Sequence, residues 1–385
     1  MYVGWNGSVV SRAARVCLAA AIVVGGMANS AAAGGKRTFR RETVQGQAQA
    51  TAGAASRFAV DTPELRSGFI GSAQWLAWAE HQSLYTFKGK PARQAIDYLV
   101  KNQRRDGSWS GEGLNDRGSF DDQCTATALR ALLEWYAETG DESVVPAAKK
   151  CIDLLLRTQG QVLEPRGTAS DGGPFALRVG GLWRMVPDPK EWKEDWWSHL
   201  DHEWNIGDQV TSSHANALMM AYAVFGDERC KEAVVACARS LQRLQALHGG
   251  GLPEHVGPRG EAMHGRPHEI PAWSTRAVSY AIDVYVDAHR VSHDARWAMA
   301  ARKSADWVAP LKLSDQPVRF QNQGPQIMWP SLVEMHTLRP VYGNKFGQAV
   351  YSVEEAVNPY GWWHAYPAAA IDKAKRYFVQ HAQRW

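Results

Sequence analysis

Apolar residues recur at three- and four-residue spacing in three separate stretches of this chain: Cys124, Ala128, Ala131 and Trp135; Ala217, Met220, Ala221 and Val224; and Ala277, Tyr280, Ala281 and Val284. That period places each set on one face of an α-helix, because a strand would alternate every second residue. Each stretch is followed, after a short polar link such as Gly140-Asp141-Glu142, by a second helical stretch, over residues 147–159, 233–245 and 295–308. Strand-like alternation is nearly absent. Loops rich in Gly and Pro fall at 160–189, 249–271 and 316–347.

The helical pair is a repeat. Residues 122–159 align without a gap over 208–245, with 15 of 38 positions identical, among them Asp122/Asp208, Gln123/Gln209, Tyr136/Tyr222, Cys151/Cys237 and Gln159/Gln245. The second half of the unit also occurs earlier, at 95–103. Hairpins used in series predict an all-α fold, an (α/α) toroid with long loops at one rim. If the inner helices run parallel, the loops entering Asp122, Asp208 and Thr275 converge on that rim.

Composition adds the compartment. Arg12 and Arg15, an apolar run over 16–27 and the small-residue stretch 28–33 read as a secretory signal, too short to span a bilayer. Residues 34–56 are small and polar and read as a disordered leader, leaving 57–385 as a single domain, expected to be a monomer, in a secreted or periplasmic protein. Loss of Arg12 and Arg15 lowers the net charge from +4 to +2, so neither nucleic acid nor a membrane surface is expected as a partner. Cys230 and Cys237 are seven residues apart on one helix, about 10 Å, beyond disulfide reach. Of the four cysteines after residue 33, Cys124, Cys151 and Cys237 fall at apolar helix positions and read as small core residues, and no spacing resembles a zinc site.

Three segments meet at the expected rim: 119–123 (SFDDQ), 204–209 (WNIGDQ) and 264–275 (HGRPHEIPAWST). They carry Asp121, Asp122, Asp208, Arg266 and Glu269. An aspartate before a helix is ordinarily an N-cap, contributing about 0.5 to 2 kcal/mol. Several carboxylates crowded together repel one another unless a cation sits among them, and an oxygen-only set favours calcium. Trp183, Trp192, Trp196, Trp197 and Trp204 crowd a flanking loop, as sugar platforms or as packing.

At this point the residues resemble a family. The segments 102–109 (NQRRDGSW), 119–127 (SFDDQCTAT), 196–210 (with WWSHL and NIGDQV), 266–274 (RPHEIPAWS) and 339–367 are similar, in this order, to landmarks of the pectic acid lyases of polysaccharide lyase family 10. The resemblance implies a toroid that cleaves a polyuronate such as polygalacturonate by calcium-assisted β-elimination. It implies Arg266 as the residue taking the C5 proton, Asp121, Asp122 and Asp208 around calcium, and Lys345 on the acidic polysaccharide. Arg339, Glu269, His268, Trp109 and Trp197, in or beside these motifs, complete the expected substrate-binding set. Ala356, Val357, Asn358 and Pro359 stand where the family carries paired arginines.

Calcium would neutralise the uronate carboxylate and make its C5 proton acidic. Arginine is an awkward base because its pKa exceeds 12, and His264 and His268 stand beside it as alternatives. Other readings are a lyase or unsaturated-uronide hydrolase acting on another uronate, and an inactive saccharide-binding protein. NQRRDGSW also resembles the Gln-x-x-Asp-Gly-x-Trp repeats of terpene cyclases, against which the export signal argues.

Overall fold

The computed structural model describes residues 57–81, 90–110, 120, 123–160, 181–184, 204–257, 259–266, 268–319, 325–356 and 363–382. The signal and leader assigned to 1–56 lie outside these residues. The described helices are α1 Pro63–Arg66, α2 Ser72–His81, α3 Ala92–Lys101, α4 Cys124–Thr139, α5 Val145–Thr158, α6 Val210–Phe225, α7 Glu228–Leu247, α8 Thr275–Ser292, α9 Ala295–Val308 and α10 Tyr366–Ala382. Among them, none is long and apolar enough to cross a membrane.

The repeated Gly-Asp-Glu link is a helix stop followed by a helix start. Gly140 (φ 73°) and Gly226 (φ 68°) close α4 and α6 in the left-handed region, where a side chain would be strained. Asp141 then accepts from the Ser143 N–H at 3.1 Å, and Asp227 from the Arg229 N–H at 3.0 Å, starting the next helical segment. These links fold α5 back beside α4 and α7 back beside α6. The inner helices α4, α6 and α8 are buried on nearly every side, whereas α3, α5, α7 and α9 alternate buried and exposed positions. Helix α10 runs parallel to α8, as the ring pair Tyr280/Tyr366 and, further along both helices, the His289/Tyr377 hydrogen bond show.

A glutamine strut ties each outer helix to the next. Gln103 Nε2 donates to the carbonyls of Gly107 (3.0 Å) and Ala147 (2.8 Å), and Gln159 Nε2 to those of Gly181 (2.9 Å) and Ala233 (2.8 Å). Gln245 Nε2 reaches the Gly250 carbonyl at 3.0 Å and the Ser304 hydroxyl at 2.9 Å. The glycines have positive φ, and a Cβ on Gly107 would lie 2.6 Å from the Lys150 carbonyl oxygen. Trp109 then donates its indole N–H to the Leu99 carbonyl at 2.7 Å, as Trp183 does to Leu155 at 2.9 Å. Trp109 is 1% exposed. This corrects the expectation that it binds substrate: it is core, with no face open to a sugar.

Residues 57–72 cross the C-terminal ends of the inner helices. Val60 N–H bonds the Ala223 carbonyl at 3.0 Å, and Ser72 N–H bonds Glu138 Oε1 at 2.9 Å. The toroid is thus covered at one end, and the N-terminal ends of α4, α6, α8 and α10 form the other. Short antiparallel strands border that rim: β1 Trp204–Asn205 pairs with β2 His255–Val256, β3 Trp273–Ser274 with β5 Leu332–Val333, and β4 Trp329–Pro330 with β8 Trp363–His364. β6 Pro340–Gly343 and β7 Ala349–Val350 extend the β3–β5 sheet. All are two to four residues long, too short to leave an alternating pattern in the sequence. Cys124, Cys151 and Cys237 are buried, as expected, and so is Cys230.

Candidate functional site

Asp208 sits immediately before α6 and does not cap it. The N-cap position belongs to Gln209, which makes no side-chain cap bond. Asp208 (φ 46°) and Gln209 (φ 60°) are consecutive left-handed residues without being glycine, a conformation that costs on the order of 1 kcal/mol each. The bend is held from below: the N–H groups of Ile206 and Gly207 share the Glu254 carbonyl at 2.9 and 3.3 Å. Its effect is to turn the Asp208 carboxylate to the rim, where Oδ2 lies 3.2 Å from Arg266 Nη2.

Arg266 and Glu269 close a tight turn, with the Glu269 N–H donating to the Arg266 carbonyl at 2.7 Å. The Glu269 side chain returns to the same residue: Oε2 accepts the Arg266 backbone N–H at 2.7 Å, and Oε1 accepts Nε at 2.5 Å with Nη2 also in contact. His255 Nε2 lies 3.2 Å from Oε2, and His268 Nε2 lies 3.6 Å from Oε1. Glu269 is buried, while 15% of the Arg266 side chain stays exposed. Burial opposes ionisation of Glu269, but Arg266 and the His255 hydrogen bond outweigh it and hold the carboxyl well below its ordinary range. Burial lowers His268 to about 4 against the opposing pull of Glu269, with Arg266 and Arg276 adding to burial, so its imidazole is neutral at pH 7.

A second carboxylate lies behind the first. Glu254 Oε1 accepts from Arg276 Nε at 2.9 Å, from Arg276 Nη2 at 2.5 Å and from the Ser274 hydroxyl at 3.0 Å. Thr275 Oγ1, at the first residue of α8, lies 3.0 Å from His364 Nε2 on β8. Glu254, His255 and Glu269 bring ligand atoms within 4.8 Å of one another, the one such group among the described residues. It does not suit calcium. Arg276 and Arg266 already neutralise its two carboxylates, and one of its three donors is an imidazole nitrogen where calcium takes six to eight oxygens.

The structure therefore brings together Asp208, Arg266, His268 and Glu269 of the expected residues. Glu269 meets Arg266, not solvent, which corrects its expected direct contact with substrate. Asp121, Asp122 and Trp197 lie outside the described residues. Lys345 is exposed in the β6–β7 turn, its Nζ 4.9 Å from the Phe346 ring centroid, and Arg339 is exposed in the β5–β6 turn, its guanidinium 4.7 Å from the Tyr351 ring centroid. The β6–β7 turn is tied to the Arg266 loop, since His264 Nε2 lies 3.0 Å from the Gly347 carbonyl. Sequence reasoning missed Glu254, Ser274, Arg276 and His364.

No protein-family model matches the sequence, and no curated protein matches it. Its three-dimensional structure does have counterparts. The family 10 polysaccharide lyase from Cellvibrio cellulosa matches with a TM-score of 0.55 at 15% identity, over 85% of this chain and 100% of that one. An alanine mutant of a family 10 lyase from the same organism, in complex with trigalacturonic acid, matches with a TM-score of 0.56 at 15% identity, over 82% and 99% of the two chains. The cellobiose 2-epimerase from Bacillus thermoamylovorans is more distant, at a TM-score of 0.42 and 12% identity over 79% and 71%. The chain has the (α/α) toroid of the family 10 lyase.

Proposed function

We propose that this chain is an exported polysaccharide lyase that cleaves a polyuronate, polygalacturonate in the first instance, by β-elimination at the rim of the toroid. The observation that carries this reading is Arg266: a guanidinium fixed from behind by a buried glutamate, partly exposed in front, and facing Asp208 on a strained turn. Buried charge held this way is costly and is characteristic of sites that bind or transform charged ligands. The family 10 lyase of the same fold, bound to trigalacturonic acid, supports an acidic sugar as the ligand.

In this proposal Arg266 binds the uronate carboxylate and the enolate-like charge that grows on it as the C5 proton leaves. The resemblance assigns proton removal to Arg266 itself. Two carboxylates beside it favour the guanidinium form, however, so we place that step on the neutral imidazole of His268, which Glu269 adjoins and whose imidazolium Glu269 would stabilise. Calcium is the proposed cofactor, held by Asp208 with Asp121 and Asp122, an all-oxygen donor set; bound there it would supply further neutralisation of the uronate carboxylate. Phe346, 73% exposed, and Tyr351, 48% exposed, with Lys345 and Arg339, offer stacking faces and positive charge to neighbouring uronate units.

The test is to incubate the purified protein with a panel of polyuronates, with and without calcium, and to follow the ultraviolet absorbance of the unsaturated product. Absorbance that rises with one uronate and falls away on chelation supports the reading. No unsaturated product from any of them sinks it.

A further inference from the structure

We propose that Glu269 is a positioning residue that aims Arg266, with His255 as its brace and Gly265 as the gap that lets the two meet. The inference rests on the lyase reading above. Arg266 is a long side chain with four rotatable bonds, and holding it in one geometry costs rotamer entropy that only fixed contacts can offset. Glu269 supplies those contacts twice over, through Oε1 to the Nε of the side chain and through Oε2 to the backbone N–H of the same residue. One carboxylate thereby fixes both the start and the far end of the arginine. The Nη2 edge is left directed at Asp208, 3.2 Å away, which is where a ligand carboxylate would compete.

Glu269 is itself held. It is 3% exposed, its backbone N–H and carbonyl close the turn onto Arg266 and Gly265, and His255 Nε2 meets Oε2 at 3.2 Å. His255 is delivered from another part of the chain by the β1–β2 pair, opposite Asn205, which itself lies three residues before Asp208. The register of that pair thus sets Arg266 and Asp208 together. Gly265 is the close point. A Cβ there would lie 2.4 Å from His255 Nε2 and 2.6 Å from Glu269 Oε2, both inside contact distance, so the added methyl displaces the two side-chain tips that meet each other and with them the contact to the Arg266 backbone N–H.

Gly265→Ala therefore separates the brace from Glu269 without removing any charge. A shift of about 1 Å in the groups that hold a reacting centre lowers turnover by on the order of a hundredfold. We expect Gly265→Ala and Glu269→Gln each to lower kcat on polygalacturonate by at least about tenfold, with KM within about threefold of wild type. The Arg266 side-chain Nε–H resonance should also shift and broaden in both, while thermal melting shows Gly265→Ala still folded. A purely structural role would lower melting temperature and active fraction together and leave the resonance of the folded fraction unmoved; that outcome, or wild-type kcat in Gly265→Ala, overturns the proposal. Wild-type protein that yields no unsaturated product overturns the lyase reading and this role with it, whereas an active wild type with an equally active Gly265→Ala overturns this role alone.

Discussion

Asp208 occupies a left-handed backbone position that asparagine tolerates about as well as aspartate. Asp208→Asn therefore isolates the charge from the strain. Because the side chain caps no helix, we expect the melting temperature to move by only a few degrees, at a cost of about 1 kcal/mol, while turnover and its response to calcium are lost. A calcium titration of the variant that matches wild type would refute the ligand role. Arg266→Lys keeps the charge and loses the planar fork that meets Glu269 and Asp208 together. Oligouronate affinity should stay within about tenfold, or about 1.4 kcal/mol, and turnover should fall at least about a hundredfold, since most of the contribution belongs to the transition state. Calorimetry beside rate measurements separates the two; collapsed affinity with near-normal turnover at saturation would make Arg266 a simple clamp. At this scale the sequence showed Asp208 and Arg266 clearly, through the repeat and the RPHEIP motif. It did not show that Glu269 turns inward, because a local three-residue turn and a brace from β2 decide that jointly.

Between elements, the recurring devices are the Gly-Asp helix link and the glutamine strut with its tryptophan. Both were visible as identities before their purpose was: Gln103, Gln159 and Gln245 recur because each must satisfy a loop carbonyl and a group on the next outer helix at once. The indole N–H of Trp109 serves the same joint, although the residue was expected in the substrate-binding set, since the sequence places a tryptophan near a rim without saying which way it faces. Trp109→Phe follows from the correction. It leaves the Leu99 carbonyl without that donor and removes part of a buried ring, so stability should drop by about 1 to 4 kcal/mol with oligouronate affinity unchanged. Urea unfolding at constant m-value measures the first, and weakened binding by a still-folded variant would restore Trp109 to the substrate site. The short strands were not legible at all. Two-residue ladders such as β1–β2 exist because distant loops meet at the rim, a tertiary outcome that carries no local period.

For the molecule as a whole, the buried titratable groups set the response to acid. Burial lowers His214 to about 3, with Arg130 adding to the effect, and lowers His268 and His289 to about 4. In the unfolded chain each titrates near 6.5. Above that pH both states are neutral and these groups contribute nothing. As pH falls through 6.5 the unfolded chain takes up protons that the fold refuses, so stability declines, by up to about 1.4 kcal/mol per pH unit for each histidine until its folded pKa is reached. Glu134 has the opposite sign: burial raises it to about 7, so its contribution is full below its unfolded value of 4.5 and is lost as pH rises through 7. Burial also holds His364 well below its ordinary value, so four histidines oppose one glutamate and the net stability falls on acidification. The urea midpoint should thus be lower at about pH 5 than at about pH 7. His214 offers a specific check, since neither ring nitrogen has a hydrogen-bond partner and the ring packs against Phe120 and Trp183. Replacing it by phenylalanine removes a buried unsatisfied polar group and one proton-uptake site at little cost in packing. We expect His214→Phe to raise the urea midpoint more at about pH 5 than at about pH 7; an equal change at the two pH values would show that His214 plays no part in the acid response.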